Sequence, residues 1–457
     1  MDFYNRDEEI KRLRGALNAD QFKLIVVYGR RRIGKTRLLQ QIVKKDDVYF
    51  IADQRETKLQ IASFARLVAT QIESFDKVTY PDWEIFFRSI NQRVKKGTTI
   101  FIDEFPYLVK NASELPSILQ KLIDEKELLN FKLVLSGSSQ QMMQKMVIDY
   151  HSPLYGRASE IIKLDSMRVG FLRQALDCNY IEAIEEFSVW GGVPRYWEIR
   201  KDSASLKDAI INQIFAVHGI LHEEPSRLFL DDTRDTVQMH TLISIIATGA
   251  NRLSEIASRI GKPATQLNRP LQKLIELGYI KRELPYGISP RNAKKTLYKV
   301  NEPFMLFYYK FVVPEKTSLE LGYVDQVYKQ VFEKQFPSHC SEVWETLCRQ
   351  ALPNLFSHKL FKPGSRWWGN NTENQPMELD VVAHSGDEEE LIIGEAKWST
   401  TRNVPVILKQ LERKAKTFPM MKNRRVILAL FVKSHKLKDI PENVYVFTPE
   451  DVVKALS

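Results

Sequence analysis

The chain has 457 residues, 44% of them apolar, with 67 Lys or Arg against 57 Asp or Glu and a net charge of +10. That length suggests about three domains of ordinary size, and the composition excludes a disordered chain or a collagen-like repeat. Three scattered cysteines, Cys178, Cys340 and Cys348, exclude a disulfide scaffold. No apolar run reaches the ~18 residues that span a bilayer, and the charged opening lacks a signal-peptide core, so a reducing cytoplasm is the expected compartment.

Lys23 to Tyr28 is a short apolar run that predicts a strand. Gly29-Arg30-Arg31-Arg32-Ile33-Gly34-Lys35-Thr36 follows, and Arg37 leads into a stretch of helical apolar spacing ending at Val43. Strand, glycine loop and helix are the context in which the pattern G-x-x-x-x-G-K-[ST] binds phosphates. The glycines permit tight turns and close approach of backbone N–H groups, and the helix start adds partial positive charge. ATP is the expected ligand of Gly29 to Arg37. Lys35 is expected on the β- and γ-phosphates and the Thr36 hydroxyl on Mg²⁺.

Thr98 to Ile102 is a second buried-strand pattern, ending in Asp103-Glu104. Asp103 is expected to hold Mg²⁺, directly or through water, and Glu104 to polarise the attacking water. A third strand, Phe131 to Leu135, ends in Ser136-Gly137-Ser138-Ser139. Ser136, with Ser138 next, is the candidate γ-phosphate sensor; a plain polar turn fits equally well. Arg157 could face the phosphates in cis or from a neighbouring subunit of a homo-oligomer, or be a surface arginine.

Together the opening Phe3 to Glu9, the loop Tyr28 to Thr36, Asp103-Glu104, Tyr155-Gly156-Arg157 and Gly191-Gly192-Val193-Pro194-Arg195-Tyr196 resemble the archaeal-type ATPases, a branch of the AAA+/STAND group of P-loop proteins. The resemblance covers about residues 1–225. It implies an αβα ATPase core over residues 1–165, with the opening segment near the adenine, and a helical lid over 166–232 that includes the Gly191-Gly192 turn.

Residues 251–300 hold eleven Lys or Arg against three Glu, the local excess of a polyanion-binding module. Thr241 to Ala247, Leu253 to Gly261 and Leu267 to Gly278 read as three helices, the last with Leu267, Leu271, Leu274 and Leu277 on one face and Pro270 in its first turn, where proline is tolerated. A strand from Tyr279 to Leu284 and a basic hairpin with Arg291, Lys294 and Lys295 follow. The pattern resembles a winged helix over 233–315, with Arg269, Lys273, Lys281 and Arg282 as candidate DNA contacts. Protein docking is the competing use of such a module.

Glu378 to His384 and Leu391 to Trp398 read as two strands joined by an acidic turn. Glu395 and Lys397 share a face, and Asp380 can converge on them. Two carboxylates and a lysine could hold Mg²⁺ and cut a phosphodiester. The spacing resembles the PD-(D/E)xK nucleases, over residues 325–457, in a domain often fused to archaeal-type ATPases. Asp380 follows Glu-Leu rather than the family's proline. The resemblance implies Glu345 as a third, helix-borne metal ligand, with Glu342 its competitor, and Gln410 as a supporting polar residue. Trp367-Trp368 is expected to pack under the hairpin. A degenerate nuclease fold kept for binding or regulation is the alternative.

The fold class expected is therefore α/β and multi-domain. The function expected is ATP-Mg²⁺ binding and hydrolysis coupled to DNA binding and Mg²⁺-dependent DNA cleavage; the alternative is a STAND-like switch or DNA-binding regulator with no nuclease chemistry.

Overall fold

The structure is a computed structural model that describes all residues except 1–2, 19–20, 126–128, 233–234, 290–294, 401–403 and 436–439. Of the expected wing, Arg291 and Lys294 therefore lie outside the described residues. The chain divides into two compact units, Asp2–Ser166 and Met167–Ser457.

The first unit is built on a five-stranded parallel sheet of β1 (Leu24–Tyr28), β2 (Val48–Ile51), β3 (Thr98–Asp103), β4 (Phe131–Gly137) and β5 (Ala158–Lys163), in the order β2-β3-β4-β1-β5. β1, β3 and β4 are buried along their whole length, which is why each reads as an unbroken apolar run instead of an alternating one. Alternate residues serve two cores. Leu24, Val26, Ile100, Ile102, Leu133 and Leu135 pack with Phe64, Phe86 and Phe87 on one face. Ile25, Val27, Phe101 and Val134 pack with Leu13, Leu38 and Leu39 on the other. Because the strands are parallel, Gly29, Glu104 and Ser138 all emerge at the same, carboxyl edge, where ligands bind in open α/β sheets.

The second unit begins with the helices Val169–Leu176, Tyr180–Trp190 and Pro194–Lys201. Asn179 caps the middle one, its side chain accepting from the Ile181 and Glu182 N–H groups. Gly191 ends it at φ +58°, and the Trp197 indole N–H returns 2.8 Å to the Gly191 carbonyl.

Further along, the helices Thr236–Ala247, Leu253–Ile260 and Ala264–Glu276 precede an antiparallel ribbon of β6 (Ile280–Glu283) and β7 (Leu297–Val300). The third helix buries Leu267, Leu271 and Leu274 as expected, but it starts earlier than expected. Gly261, at φ +68°, closes the second helix, and Pro263 in extended conformation opens the third. Pro270 consequently lies inside the helix and not in its first turn, where it removes one intrahelical hydrogen bond.

The long helix Glu333–Leu355 then packs on a mixed sheet. Its strands are β8 (Ser365–Asn370), β9 (Pro376–His384), β10 (Glu390–Thr400), β11 (Arg425–Ser434) and β12 (Val444–Phe447), in the order β12-β11-β10-β9-β8. Trp367 is buried, edge-on to Phe418 with ring centres 5.1 Å apart.

His339 ties the long helix to the helix Tyr180–Trp190. Its Nε2 lies 2.7 Å from the Ser188 carbonyl oxygen and its ring is fully buried. Burial lowers the imidazole to about 4. The unfolded chain titrates near 6.5, so below that pH it takes up a proton that the fold refuses. His339 should therefore cost the second unit up to about 3 kcal/mol as pH falls from about 6.5 to 4, with no contribution above. Unfolding midpoints measured across that window should fall less steeply in His339→Gln than in wild type.

Candidate nucleotide site and a carboxyl-terminal charge cluster

Two glycines make the loop after β1 possible. A Cβ on Gly29 would meet the Leu164 carbonyl oxygen at 2.6 Å, and Gly34 stands at φ +95°. Lys35 is buried, and its Nζ donates to the carbonyls of Gly29 at 3.0 Å and Arg30 at 2.9 Å, closing the loop on itself. The Thr36 hydroxyl donates to Asp103 Oδ2 at 2.6 Å, and the Tyr49 phenol donates to the same oxygen at 2.8 Å. Asp103 Oδ1 accepts the Glu104 N–H at 3.0 Å. Burial, and then Asp103, raise the Tyr49 pKa, so the phenol keeps its proton. Glu104 stands at φ +55°, a left-handed conformation uncommon for a non-glycine residue. Its Oε2 accepts the Ser138 hydroxyl at 2.7 Å and the Ser138 N–H at 3.1 Å. Ser136 lies level with Val27, and its buried hydroxyl has no hydrogen-bond partner among the described residues. The Arg31 guanidinium reaches the Tyr107 hydroxyl.

Glu345, Asp380, Glu395 and Lys397 also come together, on the long helix, β9 and β10. Lys397 Nζ is 2.8 Å from Glu395 Oε2 and 3.4 Å from Asp380 Oδ2. Lys414, from the helix Val404–Lys416, reaches the other oxygen of Glu395 and donates to the Glu378 carbonyl at 2.9 Å. Arg349 donates to the Asp380 carbonyl at 2.9 Å and lies 3.8 Å from Glu345. Burial works to raise the Asp380 carboxyl, but Lys397 and the Ala396 N–H outweigh it and hold it below its ordinary range. Burial and then Asp380 push Glu395 up, and the same two causes lift Glu345 to about 7.

The expected Mg²⁺ site thus appears as an ion-pair cluster, its carboxylates already bridged by lysines. Among the described residues no group of three His, Cys, Asp or Glu could hold a metal ion. In this arrangement lysines occupy oxygens of both Asp380 and Glu395. Glu342 is paired instead with Lys299 at 3.5 Å. Gln410 is exposed and takes no part; Lys414, one turn later, fills the supporting position.

The basic segment splits between two faces of the ribbon. Arg252, Asn268, Arg269, Gln272, Arg282 and Tyr298 line a groove of about 810 Å³ whose lining contains no acid. Lys281 faces the other way. Burial and then the neighbouring Arg349 lower its pKa, and Glu283 and Glu342 lie beside it. It is turned towards the long helix, contrary to the expectation of a DNA contact, because side chains alternate along a strand. Lys273 is half-buried and does not line the groove.

Residues 3–198 match a family described as an ATPase domain predominantly from Archaea, and residues 308–414 match one described as archaeal and bacterial proteins of unknown function. Residues 3–198 of this chain are thus similar to an archaeal-type ATPase domain. An uncharacterized protein of Methanocaldococcus jannaschii is 28% identical over 424 residues, which is 91% of this chain and 92% of that protein. An uncharacterized ATP-binding protein of the same organism is 39% identical over 46 residues, 10% of this chain and 78% of its own length. A Walker-type ATPase of Pyrococcus abyssi shares the fold, with a TM-score of 0.52 at 19% identity over 67% of this chain and 96% of that one. No helix among the described residues is long and apolar enough to cross a membrane.

Within the ATPase domain the structure does not bring Arg157 to the loop. Ala158 pairs with Leu24 at the start of β1, whereas the loop follows Tyr28 at its end. Arg157 instead donates to both oxygens of Asp124, at 2.8 and 2.7 Å. A cis role is thereby removed, and a role towards a second subunit would first require that bidentate pair to open. Nothing in the sequence around Tyr49 marks it except an ordinary β-prone run. Lys414 could have been found from its i,i+4 relation to Gln410.

Removing one lysine from the carboxyl-terminal cluster should expose the cost of a buried carboxylate. Lys414→Met is expected to destabilise the second unit by about 1–2 kcal/mol, since Glu395 then depends on Lys397 alone. A denaturant midpoint equal to that of wild type would show that Glu395 does not need Lys414.

Proposed function

We propose that this chain hydrolyses ATP at the loop Gly29–Thr36 and that nucleotide state governs its engagement of DNA. The observation that carries the first part is the meeting of Thr36 and Asp103 at 2.6 Å at the carboxyl edge of the sheet. A hydroxyl and a carboxylate side by side are hard oxygen donors suited to Mg²⁺. Thr36 and Asp103 would hold that ion, which neutralises charge on the β- and γ-phosphates. Loop N–H groups and Lys35 cradle the phosphates, the ammonium exchanging the Gly29 and Arg30 carbonyls for phosphate oxygens. Glu104, released from Ser138, accepts a proton as water forms a bond to the γ-phosphorus and the bond to the bridging oxygen of ADP breaks. Ser136, beneath the loop, is the candidate that senses the γ-phosphate.

The second part rests on charge and shape. Three helices and a ribbon in this order support a winged helix, and the groove beside its third helix carries Arg252, Arg269 and Arg282 with no lining acid. Exposed arginines in such a groove suit a phosphate backbone. For the carboxyl-terminal cluster the lysine-bridged arrangement favours the alternative of a nuclease-like domain kept for binding or regulation, and no cleavage step is assigned to it.

Lys35→Ala should abolish ATP turnover, and Glu104→Gln should keep ATP binding while lowering kcat at least 100-fold; steady-state phosphate release with calorimetric titration of ATP checks both. Arg269→Ala with Arg282→Ala should weaken duplex DNA binding for all sequences alike and reduce the slope of log affinity against log salt by about 2. Supercoiled plasmid incubated with Mg²⁺ or Mn²⁺ should stay intact with wild type and Lys397→Ala in every nucleotide state. Nicking by wild type alone would restore the nuclease reading.

A further inference from the structure

We propose that Tyr49 is a positioning residue for the magnesium ion that accompanies ATP, acting through Asp103; the inference rests on the ATPase reading above. Tyr49 pairs in register with Phe101, two residues before Asp103 on the neighbouring strand. Residues two apart on a strand share a face, so the Tyr49 ring lies beside Phe101, with centroids 5.8 Å apart, and its hydroxyl extends to Asp103. Asp103 is 1% exposed, and both of its oxygens are engaged: Oδ2 by the Thr36 and Tyr49 hydroxyls and Oδ1 by the Glu104 N–H.

This three-donor arrangement has a chemical consequence. The terminal torsion of an aspartate is broad and would let the carboxylate swing. With Tyr49 in place it is pinned, and the Thr36 hydrogen stays directed at Oδ2. The lone pairs of the Thr36 oxygen are then left for a cation. Donors that orient a ligating carboxylate change metal affinity by about 10–100-fold when removed. The contribution of Tyr49 is therefore to the cation and not to the nucleotide itself, whose phosphates meet the loop amides and Lys35.

Tyr49→Phe deletes one oxygen and keeps the ring. Its nucleotide-free unfolding midpoint should show that it folds. Calorimetry should find ATP affinity in EDTA unchanged, but the magnesium concentration that half-saturates the tightening of ATP binding raised about 10-fold. The half-saturating magnesium in turnover should shift with it. In an Asp103→Asn background the same substitution should add nothing, because its route to the metal is already lost. Unchanged magnesium dependence in Tyr49→Phe, or a full additional loss in the double variant, would overturn the proposal. A wild type that binds no ATP at all, or a Lys35→Ala that still turns it over, would instead remove the ATPase reading on which it rests.

Discussion

The first unit depends on one carboxylate oxygen that receives two hydroxyls, those of Thr36 and Tyr49. Asp103 is nearly inaccessible, and a buried carboxylate is tolerable only when its oxygens are satisfied. The sheet order explains how it can be. β4 stands between β3 and β1, so the ends of those strands are about 10 Å apart, two strand spacings. A side chain on β3 cannot touch the end of β1 across that gap. It can meet the first turn of the helix Lys35–Gln40, which lies over the Phe101 and Val134 face of the sheet. Odd-numbered positions of β3 point to that face, so Phe101 packs and Asp103, two residues on, reaches the helix. Burial of the strand and delivery of the carboxylate are the same alternation seen at two positions.

What could be read in the sequence follows from the distance over which each feature is determined. The loop Gly29–Thr36 is set by its own glycines and flanking elements, and Asp103 by the end of its own strand, so the place of each in the fold can be read locally. Arg157 was not, because its place depends on which end of β1 meets the start of β5, a pairing across more than a hundred residues. The leucine spacing puts Pro270 about one turn too early, because Gly261 and Pro263 set where that helix begins. Gln410 and Lys414 share a helix face, but Gln410 is exposed whereas Lys414 reaches Glu395. Charge alone marks Lys281 in the sequence, whereas its direction is decided by strand alternation and by a helix that begins some fifty residues later.

The ribbon is anchored within the second unit. Tyr286, just beyond β6, joins the core around Trp367, Leu379 and Phe418. Its N–H donates to the Arg366 carbonyl at 2.8 Å, and its hydroxyl lies 2.7 Å from His384 Nδ1. Glu283 adds a pair to Arg366 at 3.1 Å. Withdrawing the ribbon would leave Arg366 and Glu283 without each other and take a tyrosine out of an apolar core. A displacement of the three helices should therefore carry the carboxyl-terminal sheet with them. The ribbon's two faces divide the labour: Lys281 and Glu283 are spent inside the unit, and Arg282 is left to the groove.

The carboxyl-terminal cluster shows how one chain balances two buried carboxylates. Asp380 and Glu395 are both under a tenth exposed and close enough to oppose each other's ionisation. Two such charges must be neutralised. A divalent cation would do this with one particle; here Lys397 and Lys414 do it with two, and burial and Asp380 raise the nearby Glu345 carboxyl above its ordinary range. The cluster is thus electrically closed by its own chain. A metal ion entering it would have to displace at least one ammonium from a carboxylate, and Lys414 would then face a second cation across Glu395. Sequence spacing reports that carboxylates and a lysine can converge. The lysine that bridges Glu395 from the helix Val404–Lys416 lies outside that spacing.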